Sequence, residues 1–131
     1  MIKYGYTILY VEEVIKTVAF YESAFGLSQK FITPENDYAE MTTGETTLAF
    51  ASFKLGESNV KNGFIPSTKA SKPFGIELVM VTDNVQQAMN DAVKAGASVE
   101  AEPVEKPWGQ TVGYVRDING FLIEVCTPIH S

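Results

Sequence analysis

Val81-Thr82-Asp83-Asn84-Val85 falls on Val11-Glu12-Glu13-Val14-Ile15 when the chain is slid along itself by 70 residues, and Gly96 then falls on Gly26 with no gap. Similarity at a fixed spacing marks a repeated structural unit. In each copy an apolar run gives way to an acidic residue, a helical pattern follows, and a glycine stops it. The letters differ between the copies, so the shared pattern carries the reading.

Working outward, residues 2–11 are rich in Tyr, Ile, Leu and Val, the composition of a strand. Val14, Val18, Tyr21 and Phe25 recur on one face of a helix, which Gly26 can close in a left-handed conformation. Three shorter strands are predicted at residues 28–33, 37–42 and 46–53. The second copy opens with a strand over 76–82, with Asp83 as N-cap. Val85, Met89, Ala92 and Val93 form the next helical face, and strands follow at 98–105, 110–116 and 121–127. The chain therefore reads as one α+β domain of two βαβββ modules, residues 1–53 and 75–131, forming a curved mixed sheet. One helix per module covers the outer face and the concave face stays open. Residues 54–74, rich in Lys, Ser, Asn, Gly and Pro, read as an exposed linker that carries part of a subunit contact.

Composition narrows the partners. At 131 residues and 45% apolar, the chain can bury a real core as a single domain. A net charge of −6 argues against nucleic acid, whose phosphates would be repelled, and is compatible with a cationic ligand. The single Cys126 excludes an internal disulfide and fits a reducing compartment. No stretch has the apolar length of a membrane span, and the N-terminus lacks a secretory pattern, so a cytoplasmic protein is expected.

The second module ends in the most informative stretch. Lys106-Pro107-Trp108-Gly109-Gln110 holds the only Trp, Asn119-Gly120 is a hairpin signal, and Glu124 stands between Ile123 and Val125. An unpaired carboxylate is costly to bury. Glu124 either faces solvent or lines a cavity where something answers its charge.

These features resemble the vicinal-oxygen-chelate superfamily of glyoxalase I, extradiol dioxygenases, fosfomycin-resistance enzymes and bleomycin-resistance proteins. The resemblance rests on Ala19-Phe20-Tyr21 with Phe25-Gly26-Leu27, and on Pro107-Trp108-Gly109 followed by Val115-Arg116-Asp117-Ile118-Asn119-Gly120. The last run is similar to a segment of the bleomycin-binding proteins, with Ile118 where those have Pro. Enzymes of the superfamily hold a divalent metal with four side chains on the open face. The resemblance places those positions at Tyr6, Ala49, Ile76 and Glu124, and also implies a homodimer with cavities built from both chains. One carboxylate and a phenol are a poor donor set for a transition metal, so no metal and no other cofactor are expected. The only histidine, His130, reads as a tail residue.

With those positions as reference, strand alternation puts Tyr6, Ile8 and Tyr10 on the open face together with Thr47, Ala49 and Ala51. From the second module it adds Ile76, Leu78 and Met80, then Leu122, Glu124 and Cys126. Small alanines leave space and the aliphatic residues make the cavity apolar, unless side chains fill it. The resemblance implies an aromatic sandwich of Trp108 with Tyr38, or with Phe31 instead. Trp108 reads equally as a rim residue packing on the partner subunit.

Three functions stay open at this point. The first is a metal-free binding protein that holds a flat apolar or cationic small molecule in a concave cavity at the dimer interface. The second is a metal-independent lyase, isomerase or hydrolase with Glu124 as general base and Tyr6 as hydrogen-bond donor. The third is a divalent-metal enzyme of glyoxalase or dioxygenase type with an atypical carboxylate site drawn from Glu12, Glu40, Glu77 and Glu124. It would require a one-residue slip to bring Glu77 inward.

Overall fold

The computed structural model describes residues 1–129; His130 lies outside the described residues. The chain divides into two compact units, one of residues 1–22 and 26–66, the other of residues 23–25 and those from 67 onward. Each carries a four-stranded mixed sheet.

The first module runs β1 (Thr7–Val11), α1 (Val14–Phe25), β2 (Ser28–Ile32), β3 (Tyr38–Thr42), β4 (Thr47–Ser52), and then α2 (Phe53–Asn59). Its sheet order is β1-β4-β3-β2, with β1 parallel to β4 and the other pairs antiparallel. Period-two alternation buries Leu9, Phe50 and Ala39 in one row across the sheet. Helix α1 turns Val14, Val18 and Tyr21 inward, and the Tyr21 ring meets Phe50 with centroids 5.1 Å apart. Burial of each such large side chain contributes about 1.5–3 kcal/mol. Gly26, at φ 68°, ends the helix, its N–H bonded to Glu22 O.

The segment read as linker begins with a helix. Ser52 caps α2 by accepting from Leu55 N at 3.1 Å. Gly56 then leaves room for the rings of Tyr10 and Phe64, each 3.0 Å from where a Cβ would stand. Tyr10, Phe53 and Phe64 form an aromatic cluster over that end of the sheet. Turn-forming composition hid this element, because its stability comes from ring contacts distant in sequence.

The second module runs β5 (Glu77–Val81), α3 (Val85–Ala95), β6 (Ser98–Glu105), β7 (Thr111–Arg116) and β8 (Leu122–Cys126), in sheet order β5-β8-β7-β6. The N-cap of α3 is Asn84, not Asp83: its side chain accepts from Gln87 N at 3.1 Å. Val85, Met89 and Ala92 face the sheet, whose Val115, Ile123 and Val125 are fully buried. Gly113 in β7 leaves the space that the Met89 sulfur occupies.

Of the four edge strands, β2 and β6 break register with their neighbours, once in β2 and twice in β6, whereas β1 and β5 are regular.

Candidate functional site

The pairing of β5 with β8 decides which residues share a face. Leu78 lies beside Ile123 and Met80 beside Val125, on the side that α3 covers. Glu77, Val79 and Val81 lie beside Leu122, Glu124 and Cys126 on the open side. The sequence expectation for Leu78 and Met80 is therefore corrected: they help close the core, and Ile76 precedes the strand. The cause is one residue. The 70-residue slide sets Ile76 against Tyr6, whereas aligning the two N-caps, Glu13 and Asn84, sets Glu77 against Tyr6. Val11 and Val81 show the slip directly, since they align in the repeat yet Val11 is 0% exposed and Val81 62%. A shift of one residue exchanges the two faces of a strand.

On the open face of the second module Glu77 and Glu124 stand diagonally on the neighbouring strands β5 and β8, and the two carboxyls act on one another. Tyr114, directly opposite Glu124 in the sheet, donates its hydroxyl to Glu124 Oε1 at 3.0 Å. Among the described residues neither ion pair involves these carboxylates. Burial first, then the hydrogen bond and charge of Glu124, raise the pKa of Glu77 above 4.5. The same causes in the same order push the Tyr114 phenol up to about 12. The Cys126 thiol goes up to about 11, through burial and Glu124, with Gln110 acting in the opposite sense. It is a buried, protonated thiol at neutral pH.

Lys106-Pro107-Trp108-Gly109-Gln110 forms the β6–β7 turn. Gly109 N donates to Lys106 O at 2.8 Å and Lys106 N to Gln110 O at 2.7 Å, with Pro107 leading and Gly109 at φ 94°. This is a type I turn closed by a glycine bulge. It holds Trp108 largely in solvent, at 64% exposure, with its indole N–H bonded to Gln110.

The Arg116-Asp117-Ile118-Asn119-Gly120 run proves to be architectural. Asp117, fully buried, accepts from the backbone N–H of Asn119 and of Phe121. Arg116 donates to the carbonyls of Gly120 and Thr68 and so ties the incoming chain to the turn. Asp117 organises the turn rather than Asn119, a role that the Asn-Gly signal concealed.

On the first module's open face Ile8 lies beside Ala49 and Tyr10 beside Ala51, with Tyr6 half-exposed just before the strand. Glu40, opposite Ala49, accepts from the Tyr38 hydroxyl at 2.7 Å and has Lys30 at 3.6 Å. Burial, then Glu40, then Tyr6 raise the Tyr38 pKa. Phe31 packs beside Tyr38 with ring centroids 5.9 Å apart. Each module thus has a Tyr–Glu hydrogen bond on its open face. Among the described residues, only in the first does a lysine answer the carboxylate.

Residues 3–125 match the Glyoxalase/Bleomycin resistance protein/Dioxygenase superfamily. The chain belongs to this superfamily. Solved members and relatives share the fold at low identity. A glyoxalase-related enzyme from Fulvimarina pelagi superimposes with a TM-score of 0.80 at 18% identity, covering 98% of this chain and 89% of that one. A hypothetical protein from S. aureus gives 0.82 at 21%, covering 98% and 95%. A glyoxalase/bleomycin resistance protein/dioxygenase family enzyme from Burkholderia phytofirmans gives 0.79 at 17%, covering 94% and 96%. Comparison with curated proteins gives no match.

The four-residue metal set that the resemblance implies is not assembled among the described residues. Among the described residues no three His, Cys, Asp or Glu side chains converge. Glu77 and Glu124 make a pair, Glu40 is engaged by Tyr38 and Lys30, and Glu12 is exposed beyond β1. Ala49 offers no donor atom. The residues present do not fit a divalent transition ion. Among the described residues, too, no helix is long and apolar enough to cross a membrane.

Proposed function

We propose that this superfamily member is a metal-free, cytoplasmic, homodimeric binding protein that takes a flat cationic small molecule on the open face of its second module. The observation that carries this reading is the Glu77–Glu124 pair, two carboxyls on one face of neighbouring strands with no ion pair to either among the described residues. A ligand cation supplies the missing charge, and attraction between opposite charges strengthens as the ligand excludes water. Trp108 offers an exposed ring for stacking, worth about 0.5–1.5 kcal/mol beyond burial. Its indole is held by Gln110, whose amide reaches Thr127 at the end of the strand that carries Glu124. Tyr6, Ile8, Tyr38 and Ala49 give the first module an aromatic and apolar open face of the same kind.

Titration of Trp108 fluorescence with bleomycin and with cationic and neutral phenazines tests the proposal. Saturable quenching by the cationic compounds, weakened at least about tenfold by Glu124→Gln, is the expected result. A flat response across the panel overturns it.

A second reading is supported by the Tyr114 hydroxyl that donates to Glu124 and by the neighbouring Glu77 carboxyl on the same face. In that reading Glu124 is the general base of a metal-independent lyase, isomerase or hydrolase. Turnover of a substrate that Glu124→Gln abolishes while binding persists would favour catalysis over sequestration.

A further inference from the structure

Gln110 is only 9% exposed, and both ends of its amide are engaged. Its Oε1 accepts from Trp108 Nε1 at 2.9 Å and its Nε2 donates to Thr127 O at 2.8 Å. Thr127 is tied in turn, its hydroxyl accepting from Thr111 N at 2.9 Å. The amide therefore bridges the tip of the β6–β7 turn to the chain leaving β8. Trp108 is the opposite case, an indole on a turn with most of its surface in water. Exposed side chains of that kind exchange rotamers within picoseconds to nanoseconds. Indole has a single hydrogen-bond donor and no acceptor.

We infer that Gln110 is a positioning residue for Trp108: it fixes the plane of the indole and occupies its only donor, so that a ligand meets the ring's π faces alone. The inference rests on the stacking role proposed above. Two consequences follow for that site. Ordering of the ring is completed at folding, so ligand binding does not bear its entropic cost. Selection at Trp108 acts on flatness and positive charge, through stacking and cation–π attraction, and not on the ligand's acceptor pattern.

Trp108 is the only tryptophan, so time-resolved fluorescence anisotropy reports this ring directly. In the wild-type protein the indole should rotate with the whole molecule, and its N–H should exchange slowly with solvent in NMR spectra. Gln110→Leu should introduce a sub-nanosecond wobble and speed N–H exchange. It should also weaken quenching by a cationic phenazine about five- to tenfold, in line with the worth of a stacked ring. Gln110→Glu, which keeps both an acceptor for the indole N–H and a donor to Thr127 O only when its carboxyl is protonated, should restore the restricted motion at acid pH and not at neutral pH. Large-amplitude fast motion in the wild type overturns the inference even if every variant fails to fold. Unchanged affinity in a folded Gln110→Leu variant whose indole has loosened overturns it as well. A wild-type ring that is locked but quenched by no probe would instead sink the binding function and leave the clamp standing.

Discussion

Tyr114 donates its hydroxyl to Glu124 Oε1 at 3.0 Å from a position directly opposite it in the β7–β8 pair. Burial first, and then the hydrogen bond to Glu124 and the charge it would set against an ionised phenol, push the Tyr114 pKa up to about 12. Spectrophotometric titration should show Tyr114 and Tyr38 ionising above the ordinary tyrosine value of 10.0. Glu124→Gln should bring Tyr114 down towards 10, its ordinary value. The stability this phenol contributes is complete below pH 10 and is lost as pH rises through 12.

Glu77 carries the opposite burden at physiological pH. Its folded pKa is raised above 4.5, so its favourable contribution is complete below 4.5 and is lost as pH rises through the folded value. At pH 7 the Glu77→Gln variant should be more stable than the wild type, by up to about 1 kcal/mol given its partial exposure. Urea unfolding at pH 4 and pH 7 should show the gain at the higher pH only. A ligand cation should reverse the ranking, since it needs the charge that this substitution removes.

Cys126 should be inert in the folded protein. A thiol raised from 9.0 to about 11 holds about a hundredfold less thiolate at neutral pH, and the side chain is buried as well. Iodoacetamide labelling followed by mass spectrometry should detect modification only on the timescale of unfolding.

Two glycines with similar backbone angles should respond differently to alanine. Gly109, φ 94°, has nothing within 4 Å of where an added methyl would stand, so Gly109→Ala should cost about 1 kcal/mol, the conformational penalty alone. Gly120, φ 91°, would put its methyl 2.3 Å from Thr68 O. Gly120→Ala should therefore cost about 3 kcal/mol, because backbone has to move. Denaturant midpoints of the two variants separate strain from collision.

Asp117→Ala should be costlier than any change on the exposed turn surface. It leaves the buried N–H groups of Asn119 and Phe121 without their carboxylate, a loss of about 2–4 kcal/mol by chemical denaturation.

The 70-residue repeat was enough to read the βαβββ order, because strand composition, helical spacing and stopping glycines are local properties. The face assignment of β5 was not readable that way. Val11 and Val81 occupy equivalent places in the letters, yet the second module has one more residue between strand and cap, and this inverts every side chain of the strand. That extra residue is visible only once Asn84, not Asp83, is seen to accept from the helix. Helix α2 escaped for a different reason: the rings that hold it, Tyr10 and Phe64, come from both sides of it along the chain. Glu124 stood out in the sequence as a charge between two aliphatic residues, whereas Glu77 entered only through the alternative of a one-residue slip, which is the register that β5 takes against β8.

Ile123 and Val125 face α3 while Leu122, Glu124 and Cys126 face away from it. Packing against the helix constrains every second residue of the strand, while Leu122 and Glu124 between them do not touch that interface. A lineage could rewrite its chemistry at the alternate positions one substitution at a time without passing through an unfolded intermediate. Such a division of labour lets one scaffold serve many unrelated molecules.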